Sequence, residues 1–164
     1  MGWVIAVLVG AIPAFADEPA LPKRAAGLWD LKTTMDEGMG PRESALKMCI
    51  DAQMEANTVA ASMAEHRNSC ERYVIETSEV GTVVDDKCKY TGREVTSRTE
   101  MSGDFKTSFK VKIESTTTDT KPNAPQSVVV KRTITQEGTY ADADCGKLEP
   151  GHAMAPDGSP VAVQ

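Results

Sequence analysis

Chemistry at neutral pH needs a base, a nucleophile or a metal ligand, and this chain offers few of each. Two histidines (His66 and His152) and four cysteines (Cys49, Cys70, Cys88 and Cys145) are the side chains best suited to proton transfer, nucleophilic attack or soft-metal binding. A nucleophilic site needs Ser, Thr or Cys within hydrogen-bond reach of such a base, and no GxSxG elbow is present. His66 falls near the end of a predicted helix, where its ordinary role is to complement the helix dipole. His152 falls in a Gly- and Pro-rich tail. The acidic pairs Asp85-Asp86 and Asp142/Asp144 lack the loop and closing Glu of an EF-hand, and read as solvated turns. No cysteine pair has the CxxC spacing of a zinc knuckle or a redox dithiol, and the His-x3-Cys pair of His66 with Cys70 is too common to carry weight. Gly38-Met39-Gly40 lacks the third glycine and the strand-to-helix context of a phosphate loop. These residues predict no catalytic site, no metal site and no cofactor.

The cysteines have another use. Residues Trp3 to Ala16 read WVIAVLVGAIPAFA, an apolar run ending in the small-x-small pattern Ala14-Phe15-Ala16 that signal peptidase accepts, so cleavage is expected after Ala16. No Lys or Arg precedes the run, which departs from the usual positive start of a signal peptide. The run is shorter than the roughly 20 apolar residues a membrane span requires, and no later segment approaches that length. An exported, non-spanning chain with an even number of cysteines predicts two disulfides in an oxidising, periplasmic setting. Three connectivities are possible. The favoured one joins Cys70 to Cys88, tying successive strands, and Cys49 to Cys145, fastening the end of the chain to its early part.

With 164 residues, a net charge of −6, 40% hydrophobic and 26% charged residues, the chain has the composition of a single acidic globular domain. An acidic balance excludes a general phosphate-backbone binder, so nucleic acid is not an expected partner.

The elements follow from periodicity. Residues 17–26, with Pro19 and Pro22, form an extended lead-in, and order begins at Gly27. Trp29, Leu31, Thr33 and Met35 alternate with polar residues as in a half-buried strand, and Glu43 to Ile50 forms a second. Asp51 to Arg67 is the one helix, capped by Asp51, with Ala56, Val59, Ala60, Met63 and Ala64 on the stripe facing the sheet. Five strands follow over 71–77, 82–90, 93–101, 106–116 and 127–137, rich in Val, Thr, Ile and Tyr. In the fourth of these, Phe109, Val111 and Ile113 alternate with Lys110, Lys112 and Glu114, giving one dry face and one charged face. Residues 118–126 form a long hairpin connection and 146–164 an irregular tail. The fold predicted is mainly β (α+β): a curved antiparallel meander or half-barrel of about seven strands with one helix packed on it, one domain over 27–145.

An ordered set of motifs runs through the chain: Leu21-Pro22-Lys23-Arg24, Gly27-Leu28-Trp29, Cys49-Ile50-Asp51-Ala52, Cys70, Cys88, Ser102-Gly103-Asp104-Phe105, Cys145, Pro150-Gly151 and Pro156-Asp157-Gly158. This set resembles the domain-of-unknown-function family numbered 3617. The resemblance implies a small exported protein of Gram-negative bacteria and no reaction. His152 stands where the family's closing segment is expected to be acidic, so no role for His152 follows from it.

Two residues remain as binding candidates. Gly27-Leu28-Trp29 is similar to the GxW signature of lipocalin-like barrels, in which the Trp closes one end. Arg132 shares a strand face with Val128, Val130 and Ile134, so a charge points toward the dry side and needs a partner. If the sheet curls until its ends approach, Arg132 lies over Trp29 in a cation–π pair worth roughly 0.5–2 kcal/mol. The expected function is a non-catalytic periplasmic domain binding a small apolar or amphipathic ligand on a curved sheet. The alternative is an envelope accessory domain that binds a protein through a strand edge or exposed loops.

Overall fold

The computed structural model describes residues 19–119 and 128–161. The expected signal peptide, 1–16, and most of the expected 118–126 connection lie outside the described residues. The seven predicted strands and the helix are present in the predicted order: β1 Gly27–Asp36, β2 Arg42–Ile50, α1 Ala52–Ser69, β3 Cys70–Ser78, β4 Gly81–Tyr90, β5 Arg93–Gly103, β6 Ser108–Asp119 and β7 Val129–Asp142. Two short strands, β8 Ala153–Met154 and β9 Pro160–Val161, add to the edge beside β2, so the tail is tied into the sheet.

The nine strands of the described residues form one antiparallel sheet in the order β3-β4-β5-β6-β7-β1-β2-β8-β9. β3 to β7 form a meander, and β1 then pairs with β7. The sheet is open, with β3 and β9 as its margins, so it does not close as a lipocalin-like barrel would. The registers set Trp29 opposite Met48 and Tyr140, and Ile113 opposite Thr99 and Ile134, which defines a common inner face. The other face carries a lattice of ion pairs, among them Lys47 with Asp30, Lys110 with Glu137 and Arg98 with Asp85. Lys87 and Lys89 both hydrogen-bond Glu71 and hold its carboxyl down at about 2.

The core sits at one end of the inner face, where Trp29, Leu31, Ile50, Phe105 and Phe109 are buried together. Each such side chain contributes roughly 1.5–3 kcal/mol when fully removed from water. Gly138 lies under the Phe109 ring, which leaves no room there for a Cβ. Phe105 adopts a left-handed backbone (φ 56°), stacks on Phe109 at 5.2 Å, and accepts a hydrogen bond from the Ala25 N–H. The lead-in is thus part of the packed structure, and order begins before Gly27.

Asp51 caps α1 as predicted, accepting from the Gln53 and Met54 N–H groups. The helix face differs from the prediction. Ala60 and Ala64 are exposed, and the one buried helical residue is Glu55. Its carboxylate lies inside because Arg24 reaches it from the lead-in. α1 approaches the sheet most closely at β3 and β4.

Candidate functional site

Among the described residues, three potential ligand side chains converge at one place, where the end of α1 turns into β3. Alternation along β4 sends Thr82, Val84, Asp86 and Cys88 to the inner face, and all four are buried. Register then sets Tyr73 of β3 and Ser97 of β5 on either side of Asp86, and Cys70 opposite Cys88. His66, in the last turn of α1, is carried back over Tyr73 and stacks on its ring at 5.2 Å. A ring nitrogen of His66, a carboxylate oxygen of Asp86 and Cys88 Sγ lie within 4.8 Å of one another.

Each group has a defined partner. A carbonyl can only accept, so the 2.7 Å contact of His66 Nδ1 with Ser62 O means that Nδ1 carries the proton and donates it. Ser97 Oγ donates to Asp86 Oδ2 at 2.7 Å. Asp86 Oδ1 lies 3.5 Å from Cys88 Sγ, which carries no proton because it is bridged to Cys70. Burial raises the Tyr73 hydroxyl pKa, Arg67 works against the rise and the Asp86 charge adds to it. A cleft of about 350 Å³ lined by Pro19, Arg67, Cys70, Tyr73 and Ile75 leads to the cluster from outside.

This arrangement is not a nucleophile triad. In a Ser-His-Asp system the imidazole stands between hydroxyl and carboxylate, whereas here Ser97 donates directly to Asp86 and His66 Nδ1 is spent on a backbone carbonyl. The expectation that Asp85-Asp86 forms a solvated turn is corrected: the pair lies within β4, Asp85 facing outward to Arg98 and Asp86 buried. Asp142 and Asp144 do shape a turn, accepting from the Asp144 and Gly146 N–H groups respectively.

The two predicted bridges are present, Cys70–Cys88 and Cys49–Cys145. The predicted pairing of Trp29 with Arg132 is not. Both are on the inner face, but at opposite ends of β1: Trp29 is opposite Tyr140, while the last β1 pair, Asp36 with Thr133, stops short of Arg132. Trp29 is fully buried against Phe109 and Tyr140, at 5.3 and 5.4 Å, and its Nε1 donates to Ala25 O. Arg132 instead pairs with Glu37, which Arg42 also contacts at 2.9 Å. β1 and β7 are direct neighbours, so Trp29 and Arg132 are kept apart by distance along the strands. Among the described residues, the cation over an aromatic ring is Arg24, 6.0 Å from the Phe109 centroid. His152 donates its backbone N–H to Glu149 and accepts from Cys49, so it is held by main chain at the β2 edge.

The convergence of His66, Asp86 and Ser97 was not foreseen. The signal lies in the alternation: as Arg132 falls among valines on a dry face, so Asp86 falls between Val84 and Cys88. A family model described as a protein of unknown function, DUF3617, matches residues 24–145. No curated protein and no solved structure gives a match. Among the described residues, no helix is long and apolar enough to cross a membrane.

Proposed function

We propose, from the premise that this chain belongs to the DUF3617 family of proteins of unknown function, that it is a non-catalytic module holding a small apolar or amphipathic molecule against the inner face of its sheet. The observation that carries this reading is a layer of apolar side chains left only half covered. Met35, Met101, Val111, Ile113 and Ile134 share the inner face, and none is fully buried. A sheet normally buries its apolar face under a packed layer. Here the one fully buried residue of α1 is charged, and the helix lies nearest β3 and β4 rather than over this layer. The methionines suit such a surface, since their flexible thioethers adapt to ligands of varied shape. The reading includes a periplasmic location. Its support is the apolar run from Trp3 to Ala16 and the two bridges, which persist in an oxidising compartment.

The test is a titration of the mature chain with an apolar fluorophore such as N-phenyl-1-naphthylamine, with native mass spectrometry for co-purified ligand. Saturable binding is expected, weakened on the order of tenfold or more by Ile113→Glu on the inner face and unaffected by Glu114→Ala on the outer face. Absence of saturable binding by the unmodified chain rejects the reading.

One observation favours the second reading, a protein-binding edge. β7 runs past the end of β1, where Val129 and Val130 are 54% and 38% exposed, and Val128 just before the strand is 59% exposed. An extended peptide could pair with that uncovered strand. A Val129→Pro change would then abolish partner capture while leaving fluorophore binding intact.

A further inference from the structure

We propose that Cys70, Cys88, His66 and Asp86 form a tetrahedral site for a zinc-like divalent cation when the Cys70–Cys88 bridge is reduced, so that bridge and metal exclude each other. Two thiolates, an imidazole and a carboxylate are a ligand set that Zn²⁺ favours. The His66, Asp86 and Cys88 ligand atoms already lie within 4.8 Å of one another, and Cys70 Sγ is covalently attached to that group. In a tetrahedral site the two sulfurs would stand about 3.8 Å apart, given Zn–S distances near 2.3 Å. Breaking their bond and turning the two side chains supplies that separation.

The surroundings are those a metal site requires. Metal-bound histidines generally donate their second ring N–H to an oxygen, which fixes the ring and its tautomer. His66 does this through Nδ1 to Ser62 O, which leaves Nε2 as the ligating nitrogen. Ligating carboxylates are likewise held by an outer hydrogen bond. Ser97 provides it at Asp86 Oδ2 and leaves Oδ1, the oxygen beside Cys88 Sγ, to face the metal. Asp86 and Cys88 are 6% and 1% exposed, so the site is closed from water on the β4 side.

The two cysteines of the bridge differ in exposure. Cys70 lines the external cleft while Cys88 is buried. A dithiol reductant would therefore attack with its thiolate at Cys70 Sγ, and Cys88 would leave as thiolate. The reductant's second thiol then attacks its own sulfur in the mixed disulfide and releases Cys70. Two electrons pass to the protein, the reductant becomes a disulfide, and the cation takes the place of the two thiol protons.

The experiment uses the mature chain, reduced with dithiothreitol, desalted anaerobically and titrated with Co²⁺. One equivalent should bind, with thiolate-to-cobalt charge-transfer bands and the visible bands of tetrahedral Co²⁺, both displaced by Zn²⁺. The oxidised chain should show neither. A Cys49→Ser/Cys145→Ser variant should keep the bands and a Cys70→Ser/Cys88→Ser variant should lose them. A His66→Ala/Asp86→Asn variant keeps the bridge, and circular dichroism of its oxidised form checks that it is folded. After reduction its affinity should fall on the order of tenfold or more. Absence of charge-transfer bands in the reduced chain overturns the proposal. So does full affinity in the His66/Asp86 variant, or bands that follow Cys49 and Cys145. If the reduced chain loses structure by circular dichroism, Zn²⁺ must restore it, and failure to do so overturns the proposal as well.

Discussion

Arg24 closes on Glu55 as a fork, Nε donating to Oε1 at 2.9 Å and Nη2 to Oε2 at 2.7 Å, while its backbone N–H reaches Oε1 at 3.1 Å. The pair joins the lead-in to the first turn of α1 above the aromatic core, with the guanidinium near the Phe109 ring. Burial alone would raise the Glu55 pKa. The Arg24 hydrogen bonds and charge outweigh it, and the carboxyl titrates below its ordinary range.

Breaking this pair should be costly and asymmetric. The Glu55 side chain is 6% exposed and that of Arg24 19%, so Arg24→Met strands a carboxylate with less access to water than the guanidinium left by Glu55→Leu. Arg24→Met should cost about 3–5 kcal/mol and Glu55→Leu less, and the double variant should recover part of the loss. Urea denaturation of the four proteins checks the cycle. Equal, additive effects would show that the pair is not coupled.

Phe109→Ala should destabilise by about 3–5 kcal/mol, and Lys110→Ala by a few tenths, because only Phe109 faces the core. Gly138→Ala should resemble the first, since its Cβ would enter the space of the Phe109 ring. Chemical denaturation ranks the three.

Acid should loosen the 102–108 turn. Asp104 accepts from the N–H groups of Thr107, Lys106 and Ser108 and from the Thr107 hydroxyl, and these bonds hold its carboxyl far below the usual range. A depressed folded-state pKa contributes stability that is fully present above the unfolded value of about 3.9 and is lost as pH falls toward the folded one. The unmodified chain should lose stability below about pH 4, and Asp104→Asn should be less stable near neutrality yet show a flatter acid limb. Thermal melts from pH 2 to 7 would reveal it, and identical limbs would refute the assignment.

Non-reducing peptide mapping should recover Cys70–Cys88 and Cys49–Cys145. Removing the second bridge with Cys145→Ser should cost about 2–5 kcal/mol. It should also speed proteolysis after residue 145, where the tail is held mainly by Gly151 and His152 bonding to the Cys49 backbone.

The fold was legible where side chains follow a period. Trp29 to Met35 and Phe109 to Glu114 announce their faces by strict alternation, and Asp51 announces the helix start by its chemistry. Glu55 defeats the same logic, because a carboxylate is read as a solvent-facing residue unless its partner is known, and Arg24 stands 31 positions earlier. Alternation along β7 places Arg132 on the inner face, but its position along the sheet depends on long-range register. Asp86 was hidden differently. Beside Asp85 it looks like half of an acidic turn, and only the pleat of β4 separates the two onto opposite faces. The short β8 and β9 could not be read from a Gly- and Pro-rich stretch, since they owe their geometry to β2 and the Cys49–Cys145 bridge.

The last strand of the sheet begins with Pro160, paired with Met154. A stack of hydrogen-bonded strands can in principle keep growing by recruiting the same strand from another molecule, which is how soluble sheets become fibres. Proline has no amide proton to offer a newcomer, and β9 is two residues long, so propagation has almost no template at this margin. A chain truncated after Cys145 would lose that terminator and expose β2 in its place. Its expected failure is slow self-assembly into fibrils at high concentration, without loss of the fold itself.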